Sequence, residues 1–378
     1  MTLVWLAAAL MTSHGLSHIV TIAIVWVRLA RPLKRGDESA GPVTLIRPAR
    51  GLDQGFTQTM GASFALDWEP GTQILFCVDD EDDPAVPELR RLIDAHPDAD
   101  ARLLIGRDHV SANPKLNNIV KGWNAATTPW IIVADSNVDL PRDFVARQFA
   151  EWRSDTGVVS QTAVGMEPDG FAGELECAFL NAMQARWLLA GDSIGLGFAL
   201  GKSLMFNRAL VDRAGGFAVL SNEAAEDIAA TKMAWSLGLR ARLAQKPLHH
   251  PVGRRRFADV WQRQLRWARL RRVGVPPAYA FEIFLGGLMP IAYATALAAA
   301  GYIPAPAAAA YALIWYGLEV LLTWRAGWPL SWATPFAFIA RDLLVIPLWL
   351  AGLLGKGFRW RGNEMSTDRP TRSAKPTR

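Results

Sequence analysis

Residues 73–84, QILFCVDDEDDP, join an apolar run to five acids in five consecutive positions. We predict a buried β-strand over 73–78, because a short apolar run bounded by turn-forming residues is typical of one. Residues 130–137, WIIVADSN, repeat the pattern, since the apolar run stops at Asp135. Two strands that both end at acids indicate a sheet with a polar edge.

The segments around these runs indicate the class of fold. Residues 43–46 and 101–105 are further short apolar runs, and 87–95 has the pattern of a helix. Alternating strands and helices are typical of a mostly parallel, doubly wound α/β sheet, which binds ligands at the carboxyl ends of its strands. We predict such a domain over residues 41–252, preceded by a polar linker at 36–41.

Residues 3–27 contain no Asp, Glu, Lys or Arg and can cross a hydrocarbon core of ~30 Å. A cleaved signal peptide is the alternative, but the run is too long and lacks a basic start. Basic residues follow it in place of a cleavage site: Arg28, Arg31, Lys34 and Arg35. We predict a transmembrane helix over 1–30 and, by the positive-inside rule, a cytoplasmic domain after it, at the inner (plasma) membrane if the chain is bacterial.

The last part of the chain is also apolar. Residues 278–358 contain about three segments long enough to enter a membrane: 281–302, 307–322 and 335–354. Arg341 and Asp342 interrupt the last segment. We therefore predict an integral membrane protein with one N-terminal and about three C-terminal membrane helices.

The side of the tail, residues 359–378, is open at this point. Three segments after the domain would leave the tail outside, whereas nearby basic residues favour the cytoplasm: Lys356, Arg359 and Arg361. A re-entrant or interfacial final segment would reconcile the two.

Residues 253–275 have the pattern of a basic amphipathic helix, expected to lie in the headgroup plane with its apolar stripe in lipid. The stripe comprises Phe257, Val260, Trp261, Leu265 and Ala268. Arg263 and Arg266 lie roughly opposite the stripe, at positions i and i+3, and offer forked donors suited to phosphate oxygens. Trp267 offers a flat surface for a sugar or an acceptor chain. An ordinary interfacial basic-aromatic helix would explain the same residues.

Composition narrows the function classes. The formal net charge of +5 is concentrated beside the apolar segments, which favours anionic headgroups over nucleic acid as the partner. Only Cys77 and Cys177 are present, too few for a disulfide framework and in keeping with a reducing compartment.

The acids at the strand ends suggest a nucleotide and a metal. One acid of residues 79–83 can accept hydrogen bonds from a uracil or ribose, although a solvated acidic turn would look the same. Asp135 and Asn137, in an Asp-x-Asn after a strand, offer the oxygen ligands that Mg²⁺ or Mn²⁺ prefers beside a diphosphate. A plain strand-end turn is the alternative.

Glu226 and Asp227 form a further acidic pair. Adjacent acids at a helix start complement the helix dipole, which is one explanation. The functional interpretation makes Asp227 a general base that takes the proton from an acceptor hydroxyl, because an alcohol is a poor nucleophile.

Taken in order, these clusters resemble the pattern of glycosyltransferase family 21, typified by ceramide glucosyltransferase: three spaced aspartates followed by (Gln/Arg)-x-x-Arg-Trp. The resemblance covers roughly residues 43–275. The matching segments are 47–53 (RPARGLD), 76–84 (FCVDDEDDP), 113–118 (NPKLNN), Asp135, Asp227 and 263–267 (RQLRW), with a Gly-x-Ser at Gly201 and Ser203.

The resemblance implies a GT-A fold, a UDP-sugar donor, a divalent metal (Mg²⁺ or Mn²⁺) and inversion to a β-glycoside. It implies Asp227 as the catalytic base and Asp135, with Asn137, as the metal site. The residues it implies for the nucleotide-sugar are Arg47, Arg50, Asp80, Lys115, Asp135, Gly201, Ser203, Arg263, Arg266 and Trp267. The expected reaction moves a hexose, glucose first, to the primary hydroxyl of a membrane lipid, ceramide first.

Several alternatives remain open from the sequence. Diacylglycerol or a hopanoid can replace ceramide as the acceptor, with one sugar added or several. After the third aspartate the chain departs from the animal ceramide enzymes, at His249-His250-Pro251 and three arginines, which leaves the acceptor in doubt. A polysaccharide synthase and a non-catalytic UDP-sugar-binding protein are the other two interpretations; the few apolar segments disfavour the first, and the acid at Asp227 disfavours the second.

Overall fold

The computed structural model describes residues 1–33, 36, 40–111, 113–355, 357–360 and 363–366. The strands are β1 (Val43–Ala49), β2 (Thr72–Val78), β3 (Ala101–Ile105), β4 (Trp130–Ala134), β5 (Thr156–Ser160), β6 (Ala163–Asp169), β7 (Ser203–Asn207), β8 (Arg240–Leu243), β9 (Leu248–Arg254), β10 (Gly357–Trp360) and β11 (Asn363–Ser366). The α-helices are α1 (Thr2–Ala30), α2 (Phe56–Gly61), α3 (Ala85–Asp94), α4 (Pro114–Ala125), α5 (Phe144–Phe149), α6 (Gly170–Ala178), α7 (Arg186–Ser193), α8 (Arg208–Arg213), α9 (Glu226–Ser236), α10 (Phe257–Gly274), α11 (Pro276–Phe281), α12 (Leu288–Ala299), α13 (Ala305–Arg325) and α14 (Thr334–Leu353).

The chain divides into two compact units. The sheet unit comprises Pro32–Ala163, Leu196–Pro251 and Lys356–Arg378, and the helical unit comprises Met1–Arg31, Val164–Gly195 and Val252–Gly355. This division differs from the expected domain at 41–252 in one segment, because Val164–Gly195 groups with the helices. The expected linker at 36–41 and tail at 359–378 lie mostly outside the described residues.

The sheet unit contains a seven-stranded sheet in the order β3-β2-β1-β4-β7-β5-β8. The pairs β1/β2, β2/β3, β1/β4 and β5/β8 are parallel, and β7 is antiparallel to both its neighbours. This confirms the mostly parallel sheet predicted from the sequence. Because β1, β2 and β4 run in the same direction, Asp79 and Asp135, which follow β2 and β4, lie at the same edge.

The buried faces of the central strands explain their continuous apolar runs. Ile131 and Val133 of β4 lie in a core cluster with residues of α4 and α9. Ile132, between them, lies in a second cluster with residues of α5. Successive side chains of a strand point to opposite faces, so a strand covered on both sides has no polar positions to spare.

The helical unit contains three helices long and apolar enough to cross a membrane, α1, α13 and α14, among the described residues. A fourth candidate is the pair Pro276–Phe284 and Leu288–Ala299, which is bent by 40°. These helices correspond to the four membrane segments predicted from the sequence. Large apolar side chains are exposed along α1, α13 and α14, as expected of surfaces that face lipid.

Helix α13 runs beside α1 in the same direction. The Tyr311 hydroxyl donates to Met11 O (2.9 Å), and the His18 ring stacks on Trp315 at 3.7 Å between centroids. Farther along, the Arg325 guanidinium lies over the Trp26 ring. The end of α13 therefore lies on the same side as Arg28 at the end of α1.

The charges of Arg341 and Asp342 interrupt the apolar sequence of the last segment but not the helix, since α14 passes through both residues. Arg341 is paired with Glu319 of α13 at 2.9 Å and with Asp342, so its charge is compensated inside the unit. The break lies in the first C-terminal segment instead. There the Gly287 N–H, at the start of α12, donates to Asp342 Oδ2 (2.7 Å).

The predicted amphipathic helix is present as α10, but its stripe is placed differently. Val260, Leu265 and Ala268 are buried, and the first two belong to a core cluster with residues of α6 and α14. The stripe therefore packs against protein where contact with lipid was expected, because an apolar stripe in a sequence does not tell which apolar partner covers it. Phe257, at the start of the stripe, is exposed.

Candidate active site

Three chain segments meet at the polar edge of the sheet. Asp135 follows β4, Gly201 and Lys202 precede β7, and α4 begins beside them. The Asn113 side chain caps α4, because its Oδ1 accepts from Lys115 N at 2.9 Å. Pro at the first position of α4 loses no hydrogen bond there. This cap fixes the first turn of α4 and so the start of the Lys115 side chain.

Lys115 is the centre of the cluster. Its Nζ lies 2.6 Å from Asp135 Oδ1, 2.6 Å from Glu226 Oε1 and 2.7 Å from Gly201 O. Burial lowers the pKa of Lys115, but the charges of Asp135 and Glu226 outweigh it and hold the pKa above its ordinary value. The ammonium group is therefore charged and joins the ends of β4 and α9.

Asp227 lies beside this ammonium group at the first turn of α9. It is half-buried, and it accepts from Gly201 N at 2.9 Å and from Ile228 N at 2.8 Å. Burial, followed by the charge of Glu226, raises the pKa of Asp227 to about 6, against the opposing effect of Lys115. A carboxyl group with this pKa is ionised at neutral pH and basic enough to accept a proton.

Gly201 has no room for a side chain. A Cβ at this position would lie 2.9 Å from Glu226 Oε1 and 3.4 Å from Asp227 Oδ2. Glycine therefore lets the backbone donate to one acid and accept from Lys115 at the same point. Ser203, two residues on, is buried in the sheet, where its Oγ accepts from Gln148 Nε2 (2.8 Å). This interior position differs from the contact with the donor expected for it.

The expected metal ligands Asp135 and Asn137 both face Lys202. Lys202 Nζ lies 2.7 Å from Asn137 Oδ1 and 3.3 Å from Asp135 Oδ2. The described residues contain no group of three or more His, Cys, Asp or Glu side chains placed to hold a metal. Two oxygen donors nevertheless fit Mg²⁺ or Mn²⁺, which commonly take one or two protein oxygens and complete their shells with phosphate and water. The residues therefore fit a cation that is bound together with a diphosphate.

The acidic run 79–83 is compensated from several sides. Asp83 accepts from Gly51 N at 2.9 Å and from Ala85 N at 2.8 Å, which joins the loop after β1 to the start of α3. Glu81 is paired with Arg90 at 2.5 Å. Asp80 is exposed at the edge of the sheet, and its Oδ1 accepts from Asp82 N. Within the run, Asp83 and Glu81 are therefore compensated by backbone N–H groups and by Arg90.

Arg47 and Arg50, two of the four arginines expected at the nucleotide-sugar, differ in their placement. Arg47 has no exposed surface, and it donates to Thr59 O at 2.8 Å and Val138 O at 3.3 Å. Burial lowers its pKa to about 10, while Asp135 and Asp139 oppose the change. Arg47 therefore braces the loop after β4 from inside, in place of the expected contact with the nucleotide. Arg50 is half-buried at the end of β1.

The structure thus brings together four of the predicted residues: Lys115, Asp135, Gly201 and Asp227. It adds Lys202 and Glu226, to which sequence analysis gave no role in the site. The sequence signals that could have identified them are their positions: Glu226 is the neighbour of Asp227, and Lys202 is the middle residue of the Gly-x-Ser. Arg263, Arg266 and Trp267 lie in the helical unit, on α10.

Comparison with known proteins identifies relatives. The model of glycosyl transferase family 21 matches residues 10–372. Ceramide glucosyltransferase 1 of Caenorhabditis elegans is 27% identical over 269 residues, which cover 71% of this chain and 57% of that protein. Ceramide glucosyltransferase 3 of the same organism is 24% identical over 359 residues, 92% of this chain and 77% of that protein. The chain thus spans little more than half the length of the first relative.

A solved structure supports the fold. The mannosyltransferase from Pyrobaculum calidifontis, in complex with GDP-Man and Mn²⁺, matches 90% of this chain and 99% of its own, with a TM-score of 0.53 and 19% identity. At that identity the likeness concerns the fold alone.

Proposed function

Because the chain belongs to glycosyl transferase family 21, we propose that it moves a hexose from a UDP-sugar to the primary hydroxyl of a membrane lipid. Glucose and ceramide are the first choices, since the two relatives from Caenorhabditis elegans are ceramide glucosyltransferases. The chain has a GT-A-like glycosyltransferase fold with apolar helices, as the sequence predicted. Its sheet unit would face the cytoplasm, where nucleotide-sugars are made.

The observation that carries the proposal is the placement of Asp227. Its carboxyl group is oriented by Gly201 N and Ile228 N, has a pKa of about 6, and lies beside the ammonium group of Lys115. A protein that only bound a nucleotide-sugar would need no such base. The acid is therefore assigned the role of general base.

In the proposed reaction the lipid hydroxyl oxygen attacks the anomeric carbon as Asp227 takes its proton. The bond from the anomeric carbon to the diphosphate oxygen breaks on the opposite face, and UDP leaves with both bonding electrons. An α-linked donor would thus give a β-glycoside. One carboxylate accepts one proton, so the step is balanced without a further reactant.

The groups around Asp135 would serve the leaving diphosphate. A divalent metal held by Asp135 and Asn137 would supply charge neutralisation for the phosphates. Lys115 would keep Asp135 oriented, and Lys202 would remain near the phosphates as a second positive group. Exposed Asp80, with Arg50, is proposed for the uracil and ribose, and Arg266 and Trp267 for donor and acceptor on the family motif alone.

The test is product analysis with the purified protein in lipid nanodiscs. UDP-glucose or UDP-galactose is supplied with ceramide or diacylglycerol, and lipid products are identified by mass spectrometry. We expect a monohexosyl lipid with UDP-glucose and ceramide, and none with Asp227→Asn. A long water-soluble glycan would support a polysaccharide synthase instead. Binding of UDP-glucose without any transfer by the wild type would support a non-catalytic binder.

A further inference from the structure

The Arg-x-x-Arg-Trp motif of α10 rests on consecutive residues of α6. Arg263 Nη1 lies 2.6 Å from Glu176 Oε1, and the Glu176 side chain is 1% exposed. Trp267, one helical turn farther along, packs against Cys177, Leu180 and Val252. Neighbouring positions of α6 therefore contact the first and the last residue of the motif.

The contact at Glu176 is chemically unusual for a packing contact. Its second carboxylate oxygen, Oε2, is buried and has no hydrogen-bond partner among the described residues. A buried ion pair gives little net stability compared with apolar side chains of similar volume, and an unsatisfied buried oxygen lowers stability further. A contact that served stability alone would be better made by apolar residues. What the ion pair does is hold the Arg263 guanidinium at one place on α6.

The helix that carries Glu176 is itself firmly held. It passes into a π-helix at Phe179–Ala185, and the Asn181 side chain bonds both Gly165 N (2.7 Å) and Gly165 O (3.0 Å). A Cβ on Gly165 would lie 2.7 Å from Cys177 Sγ, so strand β6 and α6 are in close contact. Single-turn π segments inside helices occur frequently at functional sites.

We propose that Glu176 is a positioning residue for the transfer reaction. By fixing Arg263, it sets the rotation of α10 and hence the directions of Arg266 and Trp267. This inference rests on the proposed function, which assigns those two residues to donor and acceptor. It also gives Arg263 a new role, because this arginine then links α10 to α6 and does not itself bind the diphosphate.

The test compares Glu176→Gln, Arg263→Gln and the double variant, all in nanodiscs. Glu174→Gln is the matched control, since Glu174 is a buried acid on the same helix that bonds Ser331 and Thr334 and not α10. We expect each single variant to lower kcat by about tenfold or more, because the ion pair that fixes Arg263 on α6 is broken. The double variant should be more active than either single one, since two amides can bond across the same gap and restore the link.

A second measurement does not depend on activity. In a Cys77→Ala background Cys177 is the remaining thiol, and it is covered in part by Trp267. Glu176→Gln should raise the rate at which a maleimide modifies Cys177 several-fold above the rate in Glu174→Gln. The control is matched in charge, because Glu174 and Glu176 both raise the pKa of Cys177.

The inference is overturned if Glu176→Gln keeps its kcat, if the double variant is no better than the weaker single one, or if the labelling rate is unchanged. A wild type that transfers no hexose would refute the proposed function. The labelling rates would still decide whether Glu176 positions α10.

Discussion

A single ammonium group, Lys115 Nζ, gathers the oxygens of Asp135, Glu226 and Gly201 at the edge of the sheet. Asp227 is the acid with the raised pKa, because burial and then the charge of Glu226 outweigh the lowering effects of Lys115 and of the two backbone N–H groups that donate to it. At the scale of single residues, the proposed base Asp227 thus differs from Asp135 and Glu226, which are both paired with Lys115.

The pH dependence of transfer should report Asp227. Its pKa is raised to about 6, and a general base works only when it is unprotonated. We expect kcat/KM to be level above about pH 6 and to fall about tenfold per pH unit below it, so activity is lost as pH falls through the pKa. Asp227→Asn should lower kcat by about 10²- to 10⁴-fold and keep UDP-sugar binding. A wild-type rate in this variant would refute the assignment of the base.

Lys202 should compete with the metal. Its Nζ lies 2.7 Å from Asn137 Oδ1 and 3.3 Å from Asp135 Oδ2, so a cation at these oxygens must displace it. Lys202→Met should tighten Mn²⁺ binding by roughly tenfold without donor, because a nearby positive charge is removed. Electron paramagnetic resonance of free Mn²⁺ measures this. Lys121→Met is the control, since Lys121 bonds Val78 O and not Asp135. Equal affinity in wild type and Lys202→Met would contradict the prediction.

Sequence reasoning found the site residues that belong to motifs and missed those defined by tertiary contact. Asp135 and Asp227 follow recognisable patterns, so they could be proposed as site residues from the sequence. Lys202 could not, because its importance arises only when β7 is brought beside β4. Arg47 is the opposite case, a residue proposed from the sequence that the fold places elsewhere. Its motif suggested contact with a ligand, but the fold buries it among backbone carbonyls.

At the scale of elements, the bend between α11 and α12 depends on a residue of another helix. The start of α12 lies inside the helical unit, where the Gly287 N–H finds an acceptor in Asp342. The same carboxyl group accepts from the Tyr316 hydroxyl at 3.2 Å. One acid of α14 therefore stabilises a helix end that would otherwise leave a buried donor unsatisfied.

Asp342→Ala should destabilise this bend. Loss of the acceptor leaves the Gly287 N–H and the Tyr316 hydroxyl unpaired, at a cost of about 2–5 kcal/mol. The midpoint of thermal unfolding in detergent should fall by several degrees. Glu81→Gln is the control, because its partner Arg90 is exposed and such pairs contribute about 0–1 kcal/mol. Equal shifts in the two variants would contradict the assigned role of Asp342.

The elements that the sequence predicted well are those marked by a run of apolar residues along the chain. β2 and β4 are apolar because both faces are covered, and α1, α13 and α14 are predominantly apolar. No pattern in the sequence indicated that Val164–Gly195 belongs to the helical unit. Its partners are far along the chain, as in the pairs of Arg28 with Asp192 and of Glu174 with Ser331, so only the folded chain shows that it joins the helical unit.

At the scale of the whole molecule, the side of the tail can be argued from contacts within the helical unit. The end of α13 lies beside the end of α1, where basic residues favour the cytoplasm. The end of α14 contacts α10, since Arg269 and Arg272 donate to Leu354 O and Leu353 O. With α10 at the cytoplasmic headgroup plane, as the sequence predicts, these contacts predict a final segment that ends on the cytoplasmic side.

Cysteine accessibility tests this topology in intact cells. With Cys77 and Cys177 replaced by alanine, Ser373→Cys should react with a membrane-impermeant maleimide only after permeabilisation. Tyr302→Cys, between α12 and α13, should react without it, because α13 starts on the side of the α1 N-terminus and Tyr302 is exposed. Labelling of Ser373→Cys in intact cells would show that α14 crosses the membrane.

The helical unit is built from three separate segments of the chain, and this has a consequence for biosynthesis. When the ribosome has made the chain as far as Arg186, the partner of that arginine, Glu319, does not yet exist, and Glu319 in turn is neutralised by Arg341. The nascent chain therefore carries Arg186 without this partner until α13 emerges. A chain that stops before α13 is expected to be a substrate for quality-control proteolysis, however well its sheet has formed.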